Sequence, residues 1–119
     1  MEQLVRAGLL FDFYGGLLTE KQRKAMELYF LEDWSLAEIA AETDVSRQAV
    51  HDLLHRSERL LEEYEVKLGL MQRFVKQQEE LCATSRKLAG LLKKSEVAGE
   101  IVRELRGIKA TIDQLLDNE

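Results

Sequence analysis

Two helix starts, at Ser35 and Ser46, constrain the fold of this chain more than any other feature. In residues 34–59, WSLAEIAAETDVSRQAVHDLLHRSER, Ser35 and Glu38 form an S-x-x-E capping box, each side chain satisfying an otherwise orphan backbone N–H. Trp34 and Ile39 stand at the apolar staple positions around that cap. Ser46 caps a second helix, and Val45 and Val50 repeat the staple. Only Thr43-Asp44-Val45 lies between the two helices. Such a turn needs a positive φ, which Asp44 tolerates better than most residues. Ala40, Val45, Val50 and Leu53 are the packing positions. Two short helices held at a fixed angle leave one side of the second exposed, the shape that enters a DNA major groove.

The rest of the chain also reads as helix. It has no proline in 119 residues and long runs of Leu, Glu, Lys, Arg and Ala. A first helix is expected over residues 2–14, with Leu4, Val5, Leu9 and Phe13 near one face, ended by Gly15-Gly16. Thr19 and Gln22 form a second capping box, T-x-x-Q, opening a helix to about residue 31. Its apolar face is Ala25, Met26, Leu28, Tyr29 and Phe30. Glu32-Asp33 link it to the helix-turn-helix.

The helix that opens at Ser46 shows no obvious stop. Apolar or small residues recur every three or four positions at Val50, Leu53, Leu54, Ser57, Leu60, Leu61, Tyr64 and Leu68. The spacing then continues at Met71, Phe74, Val75, Gln78, Leu81, Cys82, Ser85, Leu88 and Leu92. Gly69 interrupts neither the register nor the spacing, but a glycine costs roughly 1 kcal/mol inside a helix. Either one helix of about twelve turns or two helices hinged at Gly69 fits, and the glycine favours a break or bend. Ser95 is expected to cap a last helix, with Glu96 and Glu100 near its positive end. Its stripe is Val97, Ile101, Leu105, Ile108, Ile112 and Leu115. Two divisions follow: a helix-turn-helix domain over residues 1–68 and a helical extension over 70–119. The extension has narrow apolar seams that bury little alone, so self-association as a homodimer is expected.

Charge conflicts with the shape. Hydrophobic residues make up 45% of the chain, enough for a core, and the net charge is −5. Residues 1–69 hold eight Lys and Arg against fourteen Asp and Glu, a balance of −6; residues 70–119 hold nine against eight, or +1. The half with the DNA-reading shape is the acidic one, although phosphate contacts normally require the opposite sign. No apolar run reaches the ~18 residues needed to span a membrane, and the first residues do not resemble a signal peptide. Cys82 is the single cysteine and reads as a small residue on an apolar face. A soluble cytoplasmic protein with no membrane partner is the expectation.

The candidate site is the outward face of the Ser46 helix: Ser46, Arg47, Gln48, His51, His55, Arg56 and Arg59. Arg47 can pair with guanine or phosphate and Gln48 with adenine, whereas Asp52 opposes phosphate. Arg56 and Arg59 can reach a backbone further along. Three arginines against Asp52 and Glu58 leave +1 over residues 46–59. His51 and His55 stand at i, i+4, but no third metal ligand is placed by sequence, so neither a metal nor another cofactor is expected. No glycine-rich phosphate loop and no nucleophile–base pair can be named, so an enzyme is not expected.

The segment LTEKQRKAMELYFLEDWSLAEIAAETDVSRQAVHDLLHRSERLL resembles the promoter-reading C-terminal domain of bacterial sigma factors. The resemblance is closer to one small family. FDFYGGLLTEKQ, ELYFLEDWSLAEIA and VSRQAVHDLLHRSERLLEEYEVKLGL look like the YlxM family of small bacterial helix-turn-helix proteins, over roughly residues 11–70. The resemblance implies an all-α fold: a helix-turn-helix bundle like the sigma factor C-terminal domain, followed by a C-terminal helical extension. It also implies a regulatory role near the signal recognition particle, because genes of that family typically neighbour the one for the particle's GTPase. Partners suggested this way are the particle's RNA, its GTPase, or DNA. The alternative is a dimeric DNA-binding transcriptional regulator, and a further one a structural adaptor binding another helix through the C-terminal stripe. In sigma domains the positions matching Ala49 and His51 are commonly basic, and here neither carries a fixed positive charge.

Overall fold

The computed structural model describes residues 2–94 and 98–117. The chain forms two compact units, residues 1–71 and 72–119. In the first, α1 (Gln3–Tyr14) leads through a 3-10 turn (Gly15–Leu17) to α2 (Glu20–Met26), which a π turn (Glu27–Leu31) prolongs. Then follow α3 (Leu36–Thr43), α4 (Arg47–Leu68) and the start of α5 (Leu70–Leu92). The second unit holds the rest of α5 and α6 (Gly99–Asp117). The fold is an all-α helix-turn-helix bundle, with no strand among the described residues.

Local chemistry places the helix starts where the sequence puts them. Thr19 Oγ1 accepts the Gln22 N–H at 3.2 Å, and Gln22 Oε1 accepts the Thr19 N–H at 3.0 Å. Ser35 and Glu38 make the same reciprocal pair, both bonds at 3.1 Å. Hydrogen bonding to the carboxylate, first from the Ser35 N–H and then from its hydroxyl, holds the Glu38 carboxyl below the usual carboxylate range. Ser46 Oγ accepts the Ala49 N–H at 3.0 Å. Each cap contributes about 1 kcal/mol to its helix. Between α3 and α4, Asp44 adopts the left-handed conformation, φ 55° and ψ 44°. Its N–H and that of Val45 both reach the Ala40 carbonyl, closing the turn.

The link before α3 is tighter than expected. The Glu32 N–H bonds the Glu27 carbonyl five residues back at 3.0 Å, and the Trp34 N–H bonds that of Leu28 at 2.9 Å. Asp33 is the second left-handed non-glycine residue, at φ 58°. A wide turn followed by a left-handed aspartate swings the chain into α3 within a few residues.

Helix α4 is the spine of the first unit and packs against α1, α2 and α3. Its buried line is Val50, Leu54, Ser57, Leu61 and Glu65. Opposite lie Leu10, Tyr14, Leu18, Ala25, Met26 and Ile39, each with less than 5% of its surface exposed. Three expectations are corrected here. The inward face of α1 is Leu10 and Tyr14, while Leu4 and Val5 are exposed, because Leu10 and Tyr14 are on the side of α1 that packs on α4. Val45 is 38% exposed and lines the surface beside the turn instead of the core. The α4 line ends on Glu65; Tyr64 is half-buried and Leu68 is exposed.

The break at Gly69 is real. Gly69 caps α4 at φ 65°, ψ 24°, and its N–H bonds the Glu65 carbonyl. The first amides of α5 then need acceptors outside their own helix. Tyr14 Oη accepts the Leu70 N–H at 3.0 Å, and Glu65 Oε1 accepts the Met71 N–H at 3.0 Å. A buried carboxylate at a helix N-terminus also suits the helix dipole.

In the second unit, Ser85 and Leu88 are the buried residues of α5. Ser85 Oγ donates to Asp113 Oδ1 at 2.7 Å, and Lys109 Nζ donates to Asp113 Oδ2 at 2.7 Å, which holds that carboxyl below the usual range. The covered side of α6 therefore runs through Val102, Leu105, Lys109, Ile112 and Asp113. Ile101, Ile108 and Leu115 stay just over half exposed. The expected cap at Ser95, with Glu96 and Val97, lies outside the described residues. No helix among the described residues is long and apolar enough to cross a membrane.

Candidate nucleic-acid interface

The side chains at the start of α4 follow from how it begins. Ser46 spends its hydroxyl on the cap, so Arg47 and Gln48 are the first residues free to face outward. Both are exposed, as are His51, Asp52, His55, Arg56 and Arg59. The predicted residues thus share one solvent-facing surface of a single helix. Among the described residues, no carboxylate pairs with Arg47, Arg56 or Arg59.

Asp52 organises the middle of this surface. Its Oδ1 accepts the Gln48 side-chain amide at 3.0 Å and lies 3.4 Å from His51 Nδ1. The amide of Gln48 is therefore partly committed, and an anion stands where a phosphate-binding face would carry a cation. His51 and His55 present parallel rings with centroids 6.3 Å apart. Among the described residues, no group of three His, Cys, Asp or Glu side chains converges as a metal site.

The surface has two flanks of different character. On one, His55 and Arg59 line a cleft of about 370 Å³ between α1 and α4, whose wall includes Arg6, Glu58 and Glu62. Arg6 grips Glu62 with two hydrogen bonds, Nε to Oε1 and Nη2 to Oε2, both 2.7 Å. This lowers the Glu62 pKa below the ordinary glutamate value. Burial pushes the neighbouring Glu58 carboxyl up. That cleft is mixed in charge.

On the other flank, Arg56 lines a smaller cleft of about 230 Å³ with Lys21 and Lys24. Sequence reading missed these two lysines. They lie on α2, more than twenty positions before α4, and only the packing of α2 on α4 brings them beside Val45 and Ala49. Arg23, between them in sequence, instead donates to the carbonyls of Gly15 and Leu18. The local positive charge is thus larger than the +1 of residues 46–59 taken alone.

A capped pair of helices around a left-handed turn, with the second helix open to solvent, defines a helix-turn-helix protein. The family model described as "Putative helix-turn-helix protein, YlxM / p13 like" matches residues 1–100, and the chain belongs to this family, UPF0122. It is 47% identical over 115 residues to a UPF0122 protein of Bacillus mycoides, spanning 97% of this chain and 98% of that one. A UPF0122 protein of Bacillus anthracis is 46% identical over the same length and coverage. One from Halalkalibacterium halodurans is 58% identical over 79 residues, 66% of this chain and 72% of its own.

Proposed function

We propose that the chain is a non-enzymatic regulatory protein of the signal recognition particle pathway that acts in the cytoplasm and binds nucleic acid through the outward face of α4. The observation that carries the binding part is that face itself: Arg47, Arg56 and Arg59 are exposed, without carboxylate partners among the described residues, on the helix that a helix-turn-helix presents. The pathway part rests on the family resemblance. RNA of the particle is the ligand proposed first, on the family resemblance; the acidic balance of residues 1–69 and the anion of Asp52 oppose the phosphates of RNA and duplex DNA alike, so attraction rests on the three arginines.

The test compares random duplex DNA, signal recognition particle RNA and the particle's GTPase, each at two salt concentrations. Saturable, salt-sensitive binding of the RNA that Arg47→Ala weakens supports the reading. Binding of DNA alone overturns it in favour of a transcriptional regulator, and binding of the GTPase alone leaves α4 without a nucleic-acid role.

The transcriptional alternative has one observation in its favour. Ile101, Ile108 and Leu115 recur every seven residues on α6 and are 51–53% exposed. Such a row suits pairing with a second copy, and a two-fold homodimer presents two recognition helices to half-sites about one helical turn apart. Sedimentation of the chain and of an Ile108→Glu variant tests the pairing; a monomer at all concentrations removes it.

A further inference from the structure

We infer that the cleft between α2 and the helix-turn-helix is a docking site for an acidic amphipathic helix of a protein partner. Ten residues line it, and none is acidic. In a region carrying −6 overall, a concave surface without a carboxylate is a departure from the average. Its floor is apolar, including Ile39, Val50 and Leu53, and its rim holds Lys21, Lys24 and Arg56. Among the described residues, no carboxylate pairs with any of the three rim cations. Val45, an apolar β-branched residue, stands 38% exposed at the mouth.

Charge and shape together select the occupant. At about 230 Å³ the cleft takes a short row of side chains and excludes a folded domain. A helix with apolar residues at i, i+3, i+4 and i+7 fills the floor and removes Val45 and Leu53 from water. Carboxylates on its flanks then meet the lysines and Arg56 at the solvent-exposed rim, where complementary charge sets specificity and association rate. Nucleic-acid phosphates would use the three cations but leave the apolar floor uncovered. The site shares only Arg56 with the outward α4 face, so it stands or falls independently of the proposed nucleic-acid function.

The probe is a labelled helical peptide with leucines at those four spacings and glutamates elsewhere, titrated against the full chain by fluorescence anisotropy. Two control peptides replace its leucines by serine or its glutamates by lysine. Random duplex DNA and RNA are titrated alongside. Saturable binding of the acidic peptide is expected, weakened about tenfold or more by the double variant Lys21→Glu/Lys24→Glu and by either control substitution. Val45→Ser should weaken it separately, and circular dichroism with thermal melts checks that each variant folds. Arg47→Ala should leave peptide binding unchanged. Failure of the peptide to saturate overturns the inference, as does equal binding by the serine peptide. It is likewise overturned if the lysine reversals abolish DNA or RNA binding while leaving peptide binding intact.

Discussion

Tyr14 and Glu65, fifty-one positions apart in sequence, meet in a buried hydrogen bond of 2.5 Å, with the phenol donating to Oε1. Neither partner stops there. Tyr14 Oη accepts the amide of Leu70 and Glu65 Oε1 accepts that of Met71, so one side-chain pair caps the helix that follows Gly69. The end of α1, the last turn of α4 and the start of α5 are fixed to one another by four groups. The tilted ring of Tyr64, 6.0 Å from that of Tyr14, packs alongside.

Tyr14→Phe keeps the ring and removes the hydroxyl, leaving the Leu70 amide and the Glu65 carboxylate each short of a partner. The expected loss is about 1–3 kcal/mol in urea or thermal unfolding, given the cost of unsatisfied buried polar groups. Burial first, and then the bond to Glu65, raises the phenol's pKa above its ordinary 10.0. A group whose folded pKa is raised contributes stability that is full below the unfolded value and lost as pH rises. Wild-type stability should therefore fall above pH 10.0, and the variant should show a shallower fall. Identical alkaline profiles would show that Tyr14 is not the group responsible.

The Arg6–Glu62 pair offers a contrasting electrostatic test. It is bidentate but partly open, with side chains 38% and 44% exposed, so solvent screening limits it. A double-mutant cycle with Arg6→Ala and Glu62→Ala should give a coupling of about 0.5–1 kcal/mol. The side-chain bond to Arg6 lowers the Glu62 pKa from 4.5, so the coupling is present above that pH and disappears as pH falls through the lowered value. A coupling that persists in acid and ignores salt would rule out this account.

Backbone conformation makes a third expectation. A Cβ added at Gly69 meets nothing within 4 Å, yet the residue sits at φ +65°. Gly69→Ala should therefore cost about 1–2 kcal/mol from the left-handed backbone alone. Asp44→Gly has the opposite basis, since it replaces a left-handed non-glycine residue, and should be neutral or stabilising by up to about 1 kcal/mol. Chemical denaturation of both variants checks the pair; a tolerant Gly69→Ala would contradict the left-handed cap of α4 at that residue.

Asp52 is the sharpest lever on the outward face of α4. Asp52→Asn keeps an oxygen able to accept the Gln48 amide while removing the anion. If that face binds nucleic acid, affinity at low salt should rise by about three- to tenfold, and the salt dependence should steepen. Electrophoretic or anisotropy titrations at two ionic strengths would read it. An unchanged affinity would place the ligand elsewhere on the molecule.

Local sequence determined a good deal of this protein. Thr19 with Gln22, Ser35 with Glu38, and Ser46 mark helix starts because a hydroxyl or amide satisfies neighbouring orphan amides within one turn. Asp44 marks the turn because its left-handed conformation is a single-residue property. The outward residues of α4 were legible because helical periodicity says which side chains leave the packed line. The UPF0122 family was legible in the long motifs of residues 11–70, and the family match over residues 1–100 agrees with them.

Tertiary structure decided what periodicity leaves open. The apolar pattern runs through Gly69 unbroken, and the first amides after the break are met by Tyr14 and Glu65, which lie on other helices. Glu65 is charged and does not stand out in an apolar stripe, yet it is buried because a phenol and an amide converge on it. Leu4 and Val5 look equivalent to Leu10 in composition, but only the contact of α1 with α4 chooses among them. Lys21 and Lys24 come beside α4 through packing alone. Caps and turns are set by neighbours within a few residues, whereas buried polar partners and shared clefts depend on which distant helices the folded core brings together.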